Sequence, residues 1–162
     1  MYKIKSKTVE QSKIELGSLM QPAQANQSGN VHGGEIMKLM DNAGGIVAAR
    51  HSRSNVVTAR ADSLEFHQPI HIGNYVKCVC NLTFVGNSSM EVAIVVMVED
   101  IKKDEPPKVA LTGYFTYVAI DDNGRPIQVP KLEISNENEA RLFEEGKARY
   151  LKYKEARKNS SN

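Results

Sequence analysis

The chain has 162 residues, with 21 basic residues against 19 acidic ones and a formal net charge of +2. This length is within the range of a single domain, and the near balance of charge argues against the strongly basic surface of a nucleic-acid-binding protein. Its two cysteines, Cys78 and Cys80, are spaced so that both would lie on one face of a strand, which predicts inert packing rather than a disulfide or a metal site.

Residues 1–11 are charged and lack the apolar stretch of a signal peptide, and no apolar run in the sequence is long enough to span a bilayer. We therefore expect a cytoplasmic protein without a membrane partner. The predicted organisation is an N-terminal extension at 1–11, one domain at 12–130 and a C-terminal helical tail at 131–162.

The first predicted elements are a short strand at 12–20 and a long helix, separated by a polar loop at 21–30 that is rich in Gln, Asn and Ser. From Gly33 or Gly34 onward to about residue 50, apolar residues recur at helical spacing. This periodicity predicts one long central helix.

Two glycines, Gly44 and Gly45, fall in the middle of the predicted helix. Each costs about 1 kcal/mol of helix propensity relative to alanine. We therefore predict that another backbone approaches the helix closely at this point.

Four strands with short connections follow the helix, at residues 56–66, 75–85, 90–99 and 109–120. Because no helix connects them, neighbouring strands must be mostly antiparallel. The third of these strands is rich enough in Val and Ile to be covered on both faces, and we expect another subunit to supply part of that burial. The order of elements predicts an α+β fold in which a curved antiparallel sheet wraps one central helix.

The tail has helical composition from residue 136 to about residue 158. Its few apolar anchors are Leu142, Phe143, Tyr150 and Tyr153. We expect this helix to pack lightly on the body of the domain.

Candidate chemistry concentrates where the polar loop enters the central helix, in residues 29–34. Glycines at a helix entrance leave the first backbone amides exposed, and these amides together with the helix dipole can stabilise an oxyanion. Asp41 lies further along the helix, where Asp is an unfavourable residue. It is either a functional carboxylate or the surface partner of Lys38, and the pattern alone leaves both interpretations open.

The run GNVHGGEIMKLMDNAGG at residues 29–45 resembles the signature of the hotdog-fold acyl-CoA thioesterases, the cytosolic acyl-CoA hydrolase family. The segments FHQPI at 66–70 and GNSSM at 86–90 agree with this resemblance. It implies a hotdog fold and the hydrolysis of a fatty acyl-CoA to a free fatty acid and CoA. It also implies a homohexamer built as a trimer of dimers, with no metal and no cofactor other than the CoA of the substrate.

The resemblance also implies roles for individual residues. Asn30 and Asp41 match the catalytic pair, with Asp41 as general base or, alternatively, as nucleophile, and Asn30 orienting the water or the thioester. The oxyanion and substrate-binding positions are His32, Gly33 and Gly34. The residues expected near CoA are Asn87, Ser88 and Ser89, with Arg60 and the basic tail as candidates for its phosphates.

Helix geometry adds a prediction about assembly. If the helix begins near Gly33, Asp41 lies roughly 12 Å further along its axis at 1.5 Å per residue. Asn30 of the same chain is then too distant to share a water molecule with Asp41. We therefore predict composite sites, two per dimer, in which one chain supplies Asp41 and its mate supplies Asn30.

Two other functions compete with hydrolysis. One is a non-catalytic hotdog module that binds acyl-CoA and regulates a partner, although the sequence has no helix-turn-helix with a basic face. The other is a dehydratase or hydratase on the same fold, since a fold does not fix function. The charge balance disfavours the first alternative, and the residues do not match the usual acid and base pattern of the second.

Overall fold

The computed structural model describes residues 5–161, so the first four residues of the predicted extension and Asn162 lie outside the described residues. The strands are β1 (Lys7–Thr8), β2 (Ile14–Leu19), β3 (Asn55–Phe66), β4 (Tyr75–Val85), β5 (Ser89–Glu99), β6 (Lys108–Ile120) and β7 (Leu132–Glu133). The helices are α1 (Gly33–Ser52) and α2 (Glu137–Asn159), with a 3-10 turn at Pro22–Gln24. Every helix and long strand predicted from the sequence is present.

Five strands form one antiparallel sheet in the order β2-β4-β5-β6-β3. The sheet packs against α1, and the core lies between them, with Met40, Val47, Val92 and Ile94 almost fully buried. Alternating buried and half-buried positions along β4 and β5 place one face of each strand in this core. This arrangement confirms the α+β fold with one long central helix.

Cys78 and Cys80 lie on the buried face of β4 as free thiols. Burial raises the pKa of each to about 12, because an apolar environment disfavours the thiolate. Both therefore pack as inert core residues, as predicted.

Strand β5 lies in the middle of the sheet. The inward side chains, including Val92, Ile94 and Val96, belong to the core that α1 of the same chain covers. The outward carboxylate of Glu91 is buried beneath α2. The chain itself thus buries these residues, and the expectation that another subunit supplies part of the burial of this strand stays a prediction.

Helix α2 crosses the outer face of the sheet, opposite α1. The ring of Phe84 packs against Phe143 and Tyr150, with ring centroids 5.0 and 5.3 Å apart. The guanidinium of Arg149 donates two hydrogen bonds, of 3.0 and 2.7 Å, to the carboxylate of Glu91. The aromatic anchors were predicted, but this buried ion pair was not.

The domain also has a second sheet of two strands. Strands β1 and β7 pair in parallel, which the sequence pattern did not predict. Lys7 of β1 donates a 2.6 Å hydrogen bond to the backbone carbonyl of His51 in the last turn of α1. The side chain of His51 in turn donates to the carbonyl of Pro130, 2.7 Å away. These contacts join β1 and the segment just before β7 to the end of the central helix.

Among residues 5–161, neither helix has the length and apolar character that crossing a bilayer requires.

Candidate active site

Asp41 lies half-buried on α1, facing strands β3 and β6 rather than Lys38. Its Oδ1 atom accepts a 2.7 Å hydrogen bond from Thr58 on β3 and a 3.1 Å hydrogen bond from the hydroxyl of Tyr117 on β6. Within residues 5–161, Oδ2 has no hydrogen-bond partner. One carboxylate oxygen is thus fixed by two hydroxyl groups, and the other is available to a bound molecule.

Tyr117 is a buried residue that holds this carboxylate in place through its hydroxyl group. Only 1% of the residue is exposed, and its single hydroxyl proton is shared between Oδ1 and the backbone carbonyl of Asp41, which lies 2.9 Å away. Burial, reinforced by the neighbouring negative charge of Asp41 and the hydrogen bond to it, raises the pKa of Tyr117 far above its ordinary value. The phenol therefore stays protonated and remains a donor.

The two mid-helix glycines differ in their surroundings. A Cβ atom at Gly44 would lie 2.5 Å from the Tyr117 hydroxyl oxygen and 3.1 Å from Ile94 Cδ1, whereas a Cβ atom at Gly45 would meet Tyr117 only at 3.8 Å. The predicted close approach is therefore confirmed at Gly44. The approaching atoms belong to side chains, so the prediction that another backbone approaches the helix was wrong.

A groove of about 330 Å³ runs from Asp41 along α1. Its walls include Ile46 and Ala49 of the helix, and Val56 and Thr58 of β3. The groove combines one carboxylate with an apolar wall, which suits a ligand that has a polar reacting centre and an apolar arm.

Asn30, in the loop before α1, has different hydrogen-bond partners from Asp41. Asn30 forms a β-bridge with His71, and its Oδ1 atom accepts a 2.8 Å hydrogen bond from the Nδ1 atom of that histidine. Asn26, in the same loop, accepts hydrogen bonds through Oδ1 from the backbone amides of Ser28 and Asn30, at 2.9 and 3.1 Å. Within the described chain, neither asparagine shares a hydrogen-bond partner with Asp41.

The start of α1 is capped by His32. Its Nδ1 atom accepts a 3.0 Å hydrogen bond from the backbone amide of Gly34. Gly33 and Gly34 supply the two amides predicted to bind an oxyanion, and the amide of Gly34 is already hydrogen-bonded to His32. The amide of Gly33 makes no hydrogen bond in residues 5–161, so it is the better placed donor.

Three of the four predicted CoA-binding positions, Asn87, Ser88 and Ser89, lie between β4 and the first residue of β5, and the fourth, Arg60, lies on β3. Arg60 and Ser89 line the same cleft on the outer face of the sheet. Asn87 and Ser88 lie outside its lining, and their carbonyls accept hydrogen bonds from Val129 and Ala119. The structure thus brings together two of these four residues. In the described part of the chain, no cluster of three or more His, Cys, Asp or Glu side chains could bind a metal.

Sequence reasoning did not find Thr58, Tyr117 or His71. Thr58 follows Asp41 by 17 residues and Tyr117 follows it by 76. They meet Asp41 only because β3 and β6 are neighbours in the sheet. A half-buried Asp in a helix implies donors nearby, but the sequence does not say which residues supply them.

The fold and this site define a hotdog-type protein that carries a carboxylate on its central helix. Residues 28–105 match the family model of the thioesterase superfamily. The chain is 38% identical over 122 residues to an uncharacterized acyl-CoA thioester hydrolase of Zymomonas mobilis, covering 75% of this chain and 78% of the relative. It is also 40% identical over 151 residues to the cytosolic acyl coenzyme A thioester hydrolase of Rattus norvegicus, covering 93% of this chain. The chain spans 40% of the length of that rat relative.

Solved structures agree with these matches. An apo-hexameric acyl-CoA thioesterase superposes with a TM-score of 0.87 at 31% identity, covering 94% of this chain and 97% of that structure. An acyl-CoA hydrolase from Staphylococcus aureus, solved with butyryl coenzyme A, superposes with a TM-score of 0.82 at 29% identity, covering 97% and 93%. The chain belongs to the hotdog-fold acyl-CoA thioester hydrolases of the thioesterase superfamily.

Proposed function

We propose that this chain hydrolyses an acyl-CoA to a free acid and CoA. One observation carries the proposal, namely the Asp41 carboxylate, which two hydroxyl groups hold in the lining of a groove that also has apolar side chains. The names of the relatives support the same reaction. The reaction needs no cofactor besides the CoA that the substrate carries. The word cytosolic in the name of the rat relative supports a cytoplasmic location.

In the proposed reaction, Asp41 acts as general base. The free Oδ2 atom takes a proton from water while the water oxygen attacks the thioester carbonyl. The tetrahedral intermediate collapses with cleavage of the carbon–sulfur bond, and CoA leaves as a thiolate that accepts a proton. The free backbone amide of Gly33 is placed at a helix N-terminus, where a developing oxyanion is stabilised.

The second catalytic side chain in the proposal is an asparagine of the loop before α1. Structures of the S. aureus hydrolase include alanine variants of an asparagine, an aspartate and a threonine, with the asparagine 15 residues before the aspartate and the threonine 17 residues after it. Asn26 and Thr58 have these separations from Asp41, whereas Asn30 precedes Asp41 by 11 residues. The spacing therefore favours Asn26, while Asn30 and His71 support the loop that carries it.

We further propose that the active unit is a dimer formed along β3. Within residues 5–161 this strand pairs only with β6, which leaves its other edge free. Large apolar side chains are exposed beside that edge, with Ile46 41%, Val57 46% and Phe66 64% exposed. A second copy across this edge would bring its loop to the Asp41 groove. Hexameric thioesterases among the structural relatives, including one from Yersinia pestis, support a trimer of such dimers.

The activity is tested by measuring thiol release from acyl-CoAs of increasing chain length. Asp41→Asn is expected to reduce turnover at least a hundredfold, the usual scale for a positioned acid-base group, while leaving the fold intact. Asn26→Ala is expected to have a similar effect, and Asn30→Ala a smaller one. No thiol release from any substrate would instead favour the non-catalytic acyl-CoA-binding module.

A mixing experiment tests the composite site. Asp41→Asn and Asn26→Ala protomers are refolded together, so that about half of the dimers contain one of each. In a composite arrangement, each mixed dimer has one site with both residues intact, and about a quarter of wild-type activity returns. If each chain supplied both residues of its own site, no activity would return on mixing.

A further inference from the structure

The loop at residues 26–30, which carries Asn26 and Asn30, is closed by its own hydrogen bonds. The amide of Asn26 donates to the carbonyl of Asn30 at 2.7 Å, and the amide of Gly29 donates to the carbonyl of Asn26 at 3.1 Å. Gly29 has a φ of +81°, in the left-handed region that glycine adopts without strain, and this conformation turns the chain back on itself. The loop is therefore one compact unit, so a contact that holds any part of it also orients Asn26.

The carboxamide of Asn26 has a fixed orientation within this loop. Its Oδ1 atom accepts hydrogen bonds from the backbone amides of Ser28 and Asn30, at 2.9 and 3.1 Å. An amide nitrogen does not accept hydrogen bonds, so these two donors identify the end of the carboxamide that faces the backbone. The Nδ2 atom makes no hydrogen bond to any residue from 5 to 161, and it is therefore the end that is open to a ligand.

One side-chain hydrogen bond joins the loop to the body of the domain. The Nδ1 atom of His71 donates to Oδ1 of Asn30 at 2.8 Å, and the two residues also form a β-bridge. Among the described residues, no other side chain from outside the loop forms a hydrogen bond with residues 26–30. His71 lies in a turn directly before β4, where the buried side chain of Asn74 accepts a 2.9 Å hydrogen bond from the His71 amide. The imidazole thus reaches the loop from a fixed turn.

We propose that His71 is a positioning residue, which acts through Asn30 to hold the Nδ2 atom of Asn26 toward the bound thioester. This inference rests on the proposed function, in which Asn26 is the second catalytic side chain and reaches the Asp41 groove of another protomer. Residues 26–29 are exposed within the chain, so little packing fixes them. Because a misplacement of about 1 Å is enough to impair catalysis, the hydrogen bond from His71 supplies a constraint that packing does not.

Steady-state kinetics of thiol release tests this role. His71→Ala is expected to lower turnover about fivefold, the scale of one hydrogen bond, with KM little changed. His71→Asn is expected to restore most of the turnover, because its amide nitrogen is attached to Cγ as Nδ1 of histidine is, and it can donate to Asn30. His67→Ala is the control and should keep wild-type turnover, since this exposed histidine bonds to Thr112 and not to the loop. Equal losses in His71→Ala and His71→Asn would overturn the proposal.

A double-variant cycle tests whether His71 acts through Asn26. In the Asn26→Ala protein, the side chain that His71 orients is missing, so adding His71→Ala should lower turnover no further. A general contribution of His71 to the fold would instead lower turnover by the same factor in both backgrounds. Equal factors in the two backgrounds, or wild-type turnover in His71→Ala alone, overturn the proposal.

Hydrogen exchange tests the anchor without any turnover. His71→Ala is expected to speed the exchange of the Gly29 and Asn30 amides, which bond within the loop, and to leave exchange in the middle of α1 unchanged. Unchanged exchange in the loop overturns the proposal. If the wild-type protein releases no thiol, the hydrolase proposal fails, whereas the exchange result still shows whether His71 holds the loop.

Discussion

The hydroxyl oxygen of Tyr117 lies 2.9 Å from the backbone carbonyl oxygen of Asp41 and 3.1 Å from its Oδ1 atom. One buried phenol thus fixes both the helix turn and the carboxylate at this position. Gly44 makes the arrangement possible, because any side chain there would collide with the Tyr117 hydroxyl. The glycine, the tyrosine and the aspartate therefore act as one structural unit, although Tyr117 is 76 residues from Asp41 in the sequence.

Tyr117→Phe removes the hydroxyl and keeps the ring. Turnover is expected to fall about tenfold with KM little changed, because a hydrogen bond worth about 1.5 kcal/mol no longer orients the carboxylate. Steady-state kinetics of thiol release provides the measurement. Tyr114→Phe, on the outer side of the same strand, is the control and should keep wild-type turnover. An unchanged turnover in Tyr117→Phe would remove the phenol from the proposed mechanism.

Alanine substitutions at the two mid-helix glycines should have opposite effects on stability. Gly44→Ala is expected to lower the free energy of unfolding by about 1–3 kcal/mol, because its Cβ atom displaces Tyr117 in a packed core. Gly45→Ala meets its neighbour at 3.8 Å, so it should stabilise the protein by up to about 1 kcal/mol through helix propensity. Urea denaturation of both variants is the measurement. A stable Gly44→Ala protein with full activity would contradict the close packing described for this residue.

Whether a structural feature can be predicted from the sequence depends on how far apart in the chain the interacting residues lie. Helix α1 and strands β3 to β6 follow from apolar periodicity, which is local, and the predicted bounds differ from the observed ones by two residues at most. Asp41 was identified because an Asp is unusual in mid-helix and matched a family signature. Its partners Thr58 and Tyr117 were missed, because strand pairing brings them to Asp41 and no local pattern marks them.

The same limit applies to the outer face of the sheet. The aromatic anchors of α2 could be predicted from composition, but the pairing of Arg149 with Glu91 joins residues 58 positions apart. The parallel pair β1 and β7 brings together residues that are even more distant in the sequence, in strands of two residues each. Strands so short carry no periodicity from which to predict them.

The Glu91–Arg149 pair gives a test of how α2 is attached. Arg149→Met is expected to lower the free energy of unfolding by about 3 kcal/mol, because it leaves the buried carboxylate of Glu91 without its counter-charge. Replacing both partners, in Arg149→Met with Glu91→Leu, should recover much of that loss, since no buried charge remains. Urea denaturation compares the variants. Arg141→Met breaks an exposed pair with Glu145 and should cost less than about 1 kcal/mol. Equal losses in Arg149→Met and Arg141→Met would show that α2 is not held by the buried pair.

His51 should make the protein sensitive to mild acid. The residue is fully buried at the end of α1, and burial, aided by the nearby charge of Lys7, lowers the pKa of its imidazole despite the hydrogen bond to Pro130. The unfolded chain, in which the imidazole has its ordinary pKa of about 6.5, therefore binds a proton more readily than the folded protein. The free energy of unfolding is expected to fall as the pH drops through about 6.5, and this contribution levels off below the pKa of the folded state.

Urea denaturation between pH 5 and 7.5 measures this slope. His51→Gln keeps a donor for the carbonyl of Pro130 but cannot titrate, so its stability should depend less on pH than that of the wild type. His67→Gln, at an exposed position, leaves His51 intact and should retain the wild-type slope. If His51→Gln and the wild type lose stability in parallel over this range, the acid sensitivity does not arise at the end of α1. The contact between His51 and Pro130 would then serve packing alone.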